Sequence, residues 1–235
     1  AEQAADASAY FDDLLDAQVR AFNPKYTDGP GALVGELRHL HATIAGNRVY
    51  ENDGEGIVVV GSDNVAVRGN EISDSFSVGI YLDNAQHTTV ERNFVYSTGN
   101  SRYFRGGYPA SGIGTANETY STPNPLTDNR IINNIVVNTR WGFYYGAYES
   151  GGGLKNTLVS NNTFHEARSA MVWIEADAHS ATTIQNNIFS QINGGLMHSG
   201  TANGITFRAW DQTDGNASGA TGLKVPKPPR GSRMS

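Results

Sequence analysis

The chain has 235 residues, a formal net charge of -6, 27 glycines and no cysteine. Without cysteine, disulfide frameworks and thiolate metal sites are excluded, and the acidic balance argues against nucleic acid as a partner, because phosphate neutralisation needs clustered Lys and Arg. No segment approaches the roughly 18 apolar residues of a membrane span, and the wealth of Gly, Asn, Ser and Thr predicts many short strands between turns, an all-β chain.

Residues 1–40 read as an N-terminal helix and capping segment. Tyr10, Phe11, Leu14, Leu15, Val19 and Phe22 share one helical face, and Asn23 before Pro24 is a stop signal. Such a helix would cover the exposed first coil of a solenoid. The start lacks the basic residues and apolar run of a signal peptide, as expected where a leader has been removed or the chain is an excerpt of a longer one.

From residue 41 to residue 210 one pattern recurs six times: an apolar residue, two residues, Asn, one residue, an apolar residue. It reads Ile44, Asn47, Val49; Val67, Asn70, Ile72; Val90, Asn93, Val95; Ile131, Asn134, Val136; Val159, Asn162, Phe164; and Ile184, Asn187, Phe189. Ahead of most of them lies a second run opened by a small residue: GIVVVG at Gly56, GIYLDN at Gly79, GIGTAN at Gly112, GFYYGA at Gly142 and AMVWIE at Ala170. The Asn residues are 23, 23, 41, 28 and 25 positions apart, too irregular for propeller blades but natural for a coil whose turns accept insertions. The prediction is a right-handed parallel β-helix of six to seven coils, stacked at about 4.8 Å. Each Asn would sit at a corner in a left-handed backbone conformation, its amide bonded to the Asn above and below. At Ile205, Arg208 and Trp210 the spacing persists with Arg in place of Asn, and residues 211–235, which hold the basic run KVPKPPRGSR, are expected to form a disordered tail.

Insertions fall on both sides of the Gly-initiated strand and should wall a cleft across it. Alternation from each small residue turns Ile57, Ile80, Ile113, Phe143, Met171 and Trp173 inward. It turns Tyr81, Asp83, Gly114, Tyr144, Val172 and Ile174 toward the cleft. A sugar groove needs exposed aromatic planes beside polar groups, and Tyr81, Tyr144, Arg105, Tyr108, Tyr148 and Glu149 are the expected substrate-binding set. Catalytic candidates are Asp83, Glu118 and Glu175, carboxylates for glycoside hydrolysis, and Lys155, a base for elimination or epimerisation of uronates, with Arg105 and Tyr144 in support. His87, His179 and His198 have no partners at metal-ligand spacing, so no metal site is expected.

Units such as GIYLDNAQHTTVERNFVYSTGN resemble the right-handed parallel β-helix repeat proteins of the pectin-lyase-like superfamily, and the likeness runs from about Ala42 to Phe207. The resemblance implies a bacterial secreted or cell-surface protein that binds a polysaccharide, with or without cleaving it by lyase, glycoside hydrolase or epimerase chemistry, or a non-catalytic, adhesin-like module of a larger protein, either a monomer or a segment of one chain. The chain departs from the family's catalytic motifs. No Asp-Asp pair with His-Gly and Arg-x-Lys, as in polygalacturonases, and no Asp-Pro-His-Asp, as in alginate epimerases, is present. The acidic clusters that hold calcium in pectate lyases are not evident either, so no cofactor is expected.

Overall fold

A computed structural model describes residues 42–118, 126–149, 152–190, 195–199 and 203–212. The capping helix expected within residues 1–40 lies outside them; of the tail expected over residues 211–235 only Asp211 and Gln212 are described, and they end a strand. The described residues form a parallel β-helix in which each coil visits three lanes of strands. The first lane stacks β1 (Ala42–Ala45), β4 (Val65–Arg68), β7 (Thr89–Glu91), β11 (Arg130–Ile132), β15 (Leu158–Ser160) and the first half of β18 (Thr182–Ser190). The second stacks β2 (Arg48–Asn52), β5 (Glu71–Ser75), β8 (Phe94–Tyr96), β12 (Ile135–Val137), β16 (Thr163–His165) and the second half of β18. The third stacks β3 (Ile57–Val60), β6 (Val78–Asp83), β9 (Ser111–Ala116), β13 (Trp141–Gly146), β17 (Ala170–Ile174) and β19 (Gly195–Ser199). A short pair, β10 (Leu126–Thr127) and β14 (Leu154–Lys155), occupies the corner that returns to the first lane, and β20 (Ile205–Gln212) pairs with β18, opening a seventh coil.

The sequence repeat becomes columns of like residues through the coils. Val67, Val90, Ile131, Val159 and Ile184 are aligned by strand register and fully buried, as are Ile72, Val95, Val136, Phe164 and Phe189 one lane further on. The last two stack ring on ring, 5.5 Å apart and 12° from parallel. Burying each such side chain contributes about 1.5–3 kcal/mol, and only apolar residues on alternate positions can reach so narrow an interior.

Between the first two lanes runs the asparagine ladder. Asn93 is typical: Nδ2 donates to Val67 O at 2.9 Å and to Asn134 Oδ1 at 3.0 Å, while the Asn93 N–H also donates to Asn134 Oδ1 at 3.0 Å. The same bonds link Asn47 to Asn70, Asn70 to Asn93, Asn134 to Asn162 and Asn162 to Asn187. The left-handed residue, however, is the one before each ladder Asn: Gly46, Gly69, Arg92, Asn133, Asn161 and Asn186. The turn is made by an outward residue so that the Asn itself can point inward and stack.

The expected alternation holds in the third lane for β3 to β13 and fails in β17. Register pairs Phe143 with Val172, Tyr144 with Trp173 and Tyr145 with Ile174, so Val172 and Ile174 face the core and Trp173 faces outward. Ala170 is not the equivalent of the series glycines; its strand partner is Trp141. Gly56, Gly79, Gly112 and Gly142 stand where a Cβ would come within 2.3 to 2.7 Å of Ile72, Val95, Val136 or Phe164. In β17 that place falls to Met171, whose side chain is itself buried in the core beside Val172. Two consecutive inward residues at a bend defeat a count made by twos.

Candidate functional site

On the outer face of the third lane, Tyr81, Gly114, Tyr144 and Trp173 follow one another in register. The gap in this column is what shapes the surface. A Cβ on Gly114 would lie 2.3 Å from Tyr144 Cε1, so the absence of a side chain there lets the Tyr144 ring lie down across the strand. Tyr144 thereby reaches Tyr81 two coils away, with centroids 6.4 Å apart and planes 22° from parallel. Trp141 packs 5.4 Å from Tyr144 and 4.9 Å from Trp173, completing an aromatic strip.

Above Tyr81 and Tyr144 opens a cavity of about 390 Å³, within the range of small-ligand sites. Its floor is Ser77 with Val78, Tyr81 and Tyr144; its walls are Glu55, Arg105, Glu118 and Tyr148. Each wall residue comes from a different coil or loop. Glu55 precedes β3, Glu118 follows β9 and Tyr148 follows β13. Arg105 stands at the tip of the insertion between β8 and β9. Its backbone exchanges two hydrogen bonds with Tyr108 (2.8 and 3.2 Å) around Gly106 and Gly107, both at positive φ, where glycine is favoured. Buried Tyr103, in the short 3-10 turn Ser101–Tyr103, anchors that loop, and Arg105 Nη1 donates to Ser77 Oγ at 3.2 Å.

The Tyr81 hydroxyl donates to Glu118 Oε1 at 2.6 Å, a short charge-assisted bond that fixes the carboxylate at the cavity wall. Burial first, and the Glu118 bond second, push the Tyr81 hydroxyl far above its ordinary range. Burial likewise raises Tyr144, followed by Tyr148 and the carboxylates of Glu118 and Glu55, with Arg105 acting in the opposite sense. Tyr148 is raised by burial and then by Glu118 and Glu175. These tyrosines therefore stay protonated at physiological pH and can donate hydrogen bonds.

Four of the six residues expected to bind substrate, Tyr81, Tyr144, Arg105 and Tyr148, thus line one cavity, together with one expected catalytic residue, Glu118. The others stand elsewhere. Asp83 is only 1% exposed and accepts from Asn84 Nδ2 (2.9 Å) and the Glu118 N–H (3.1 Å), so it holds the loop that carries Glu118. Glu175 accepts the Ala147 N–H at 2.8 Å, Glu149 donates its own N–H to Asn117 O, and Lys155 Nζ donates to Ala178 O at the return corner. Tyr108 packs against the Arg140 guanidinium, which in turn covers Trp141. Glu55, Ser77 and Trp141 went unmarked in the sequence, and Trp173, expected inward, instead joins the outer aromatic strip. Glu55 sits in a coil with no insertion, and its only signal is an acidic residue directly before a series glycine. No cluster of three or more His, Asp or Glu able to hold a metal is found among the described residues.

A second buried network lies behind the cleft. Tyr145 points into the core, where its hydroxyl donates to Asp177, accepts the Gly153 N–H at 2.8 Å and lies 3.1 Å from Asn117 Oδ1. His179 packs edge-on against that ring, accepts the Leu154 N–H at Nδ1 (3.0 Å) and donates from Nε2 to Glu175 O (2.9 Å). Both bonds require the neutral Nε2–H tautomer. Burial lowers the His179 pKa from its ordinary 6.5. The unfolded chain then binds the proton first, so this residue contributes stability fully above pH 6.5, and the contribution is lost as pH falls from there through the lowered folded value. Urea midpoints measured from pH 8 to pH 5 should fall in the wild type, and His179→Gln should flatten that slope; an unchanged slope would rule out a neutral His179.

None of the described helices is long and apolar enough to cross a membrane. No curated protein and no solved structure matches the chain. The family described as right handed beta helix region matches residues 28–209, more than three quarters of the sequence. That match supplies the hand of the parallel coils seen here, and the chain belongs to the right-handed β-helix family.

Proposed function

We propose that this chain is an extracellular polysaccharide-binding protein whose sugar site is the cavity between Tyr81, Tyr144 and Tyr148. The observation that carries the reading is the combination, in one cavity, of tyrosine rings, Tyr148 exposed at the rim and Tyr81 and Tyr144 largely buried in the floor, with hydroxyl, guanidinium and carboxylate groups. Sugar rings offer apolar faces to the first and hydroxyl edges to the second. Binding alone corresponds to a non-catalytic surface module.

Hydrolysis is a second reading, favoured by the presence of two carboxylates, Glu55 and Glu118, on the same cavity. Glycoside hydrolysis uses such a pair, one acting as acid and the other as nucleophile or base. Lys155, the base expected for elimination of a uronate, stands at the return corner and not in the cavity lining.

Affinity electrophoresis through gels cast with a panel of polysaccharides tests binding, and release of reducing ends tests cleavage. Retardation by at least one glycan is expected, with Tyr81→Phe weakening it because the Glu118 carboxylate loses the bond that places it at the cavity wall. If cleavage occurs, Glu118→Gln should lower its rate about 100-fold or more. Migration unchanged in every gel would refute the site.

A further inference from the structure

The charge of the cavity narrows what it accepts. Glu55 and Glu118 both face it, and among the described residues neither forms an ion pair; Glu118 is bonded by the neutral Tyr81 hydroxyl, and Glu55 by no side chain. Arg105 is the one cation among the described residues of the lining and is bonded to Ser77. The described lining therefore carries one negative charge in excess, in a cavity floored by the largely buried Tyr81 and Tyr144 and rimmed by the exposed Tyr148. Ring faces and carboxylates attract the same ligand group, a cation, and a partly desolvated ammonium gains from both at once. A uronate would instead bring a third carboxylate to a site with a single guanidinium. A neutral sugar would leave Glu55 without a partner.

We propose that the cavity takes an amino sugar with a free amine, a hexosamine unit lacking its N-acetyl group, its ammonium bound between the tyrosine faces and the Glu55 carboxylate. The proposal rests on the polysaccharide reading above and specifies its substrate class. The cavity volume suits one or two such units rather than a long segment. Glu55 is the specificity residue, since Glu118 is already engaged by Tyr81.

The test is isothermal titration, at a pH where the amine is protonated, with four oligosaccharides of equal length: β-1,4-glucosamine, its N-acetylated form, a neutral glucan and an oligogalacturonate. The glucosamine oligomer should bind about tenfold or more tighter than the other three, and Glu55→Gln should remove most of that advantage without changing the near-UV circular dichroism. Glu166→Gln, an exposed carboxylate outside the cavity, controls for non-specific attraction of a polycation to an acidic protein and should bind like the wild type. Equal or tighter binding of the N-acetylated, neutral or acidic oligomers would overturn the amine assignment and leave the polysaccharide site standing. A preference that survives Glu55→Gln, or that falls equally in Glu166→Gln, would overturn it as well. If none of the four oligomers binds, the amine assignment falls; if no gel of the polysaccharide panel retards the protein either, the polysaccharide reading falls with it.

Discussion

Asn134→Ala should destabilise the protein by about 3–5 kcal/mol, enough to bring an ordinary domain close to unfolding. Asn134 is 1% exposed and takes part in four side-chain hydrogen bonds. Its Oδ1 accepts from Asn93 N and Nδ2, and its Nδ2 donates to Val90 O and Asn162 Oδ1. Alanine satisfies none of them and leaves the Asn93 N–H and the Val90 carbonyl without these partners in an interior closed to water. Each orphaned buried group costs about 1–3 kcal/mol, whereas the bonds themselves net about 1 kcal/mol each. The contrast lies at the end of the ladder. Asn47 is exposed at the first rung, so water replaces what its side chain loses, and Asn47→Ala should cost about 1 kcal/mol or less. Urea denaturation of both variants reads the difference directly, and equal losses at the two rungs would show that burial does not set the value of a rung.

The ladder was legible in the sequence because one residue type serves the same purpose at every coil. Asn alone combines donor and acceptor at the required reach, so selection for the corner writes the same letter six times. Which residue makes the turn was not legible in the same way. Gly46, Gly69, Arg92 and three asparagines occupy the left-handed position, and the outward face tolerates all of them. The third lane shows the limit of periodicity from another side. Counting by twos holds where a series glycine marks the bend and slips at β17, where Met171 takes that place and Trp173 turns out to join the aromatic strip. Sequence spacing located the strand face and its loops. It could not show that Glu118 meets Tyr81 across 37 positions, or that Asp83 beside it is buried and accepts the Glu118 N–H. Those facts depend on loop conformation, which no repeat encodes.

Gly114→Ala should disable the site while leaving the solenoid folded. Gly114 has no positive φ, so the backbone accepts alanine, and the conflict is wholly with the ring above it. The new Cβ would lie 2.3 Å from Tyr144 Cε1, 2.5 Å from Cζ and 2.7 Å from the hydroxyl oxygen. A ring boxed by Trp141 on one side and Tyr81 on the other cannot slide in its own plane, so it must lift into the cavity it now floors. The expected result is a loss of glycan retention of about tenfold or more and a changed near-UV circular dichroism, because the Tyr81–Tyr144–Trp141 arrangement is broken. The stability cost should stay within the roughly 1–3 kcal/mol of a local overpacking. Gly112→Ala, two residues earlier, is the control: its Cβ would meet Val136 Cγ1 at 2.3 Å in the core and the Gly142 carbonyl oxygen at 2.6 Å. A backbone atom of the next coil has no rotamer to escape into, so Gly112→Ala should lower the urea midpoint well beyond Gly114→Ala. Wild-type affinity together with wild-type near-UV dichroism in Gly114→Ala would show that the seat of Tyr144 does not govern the site.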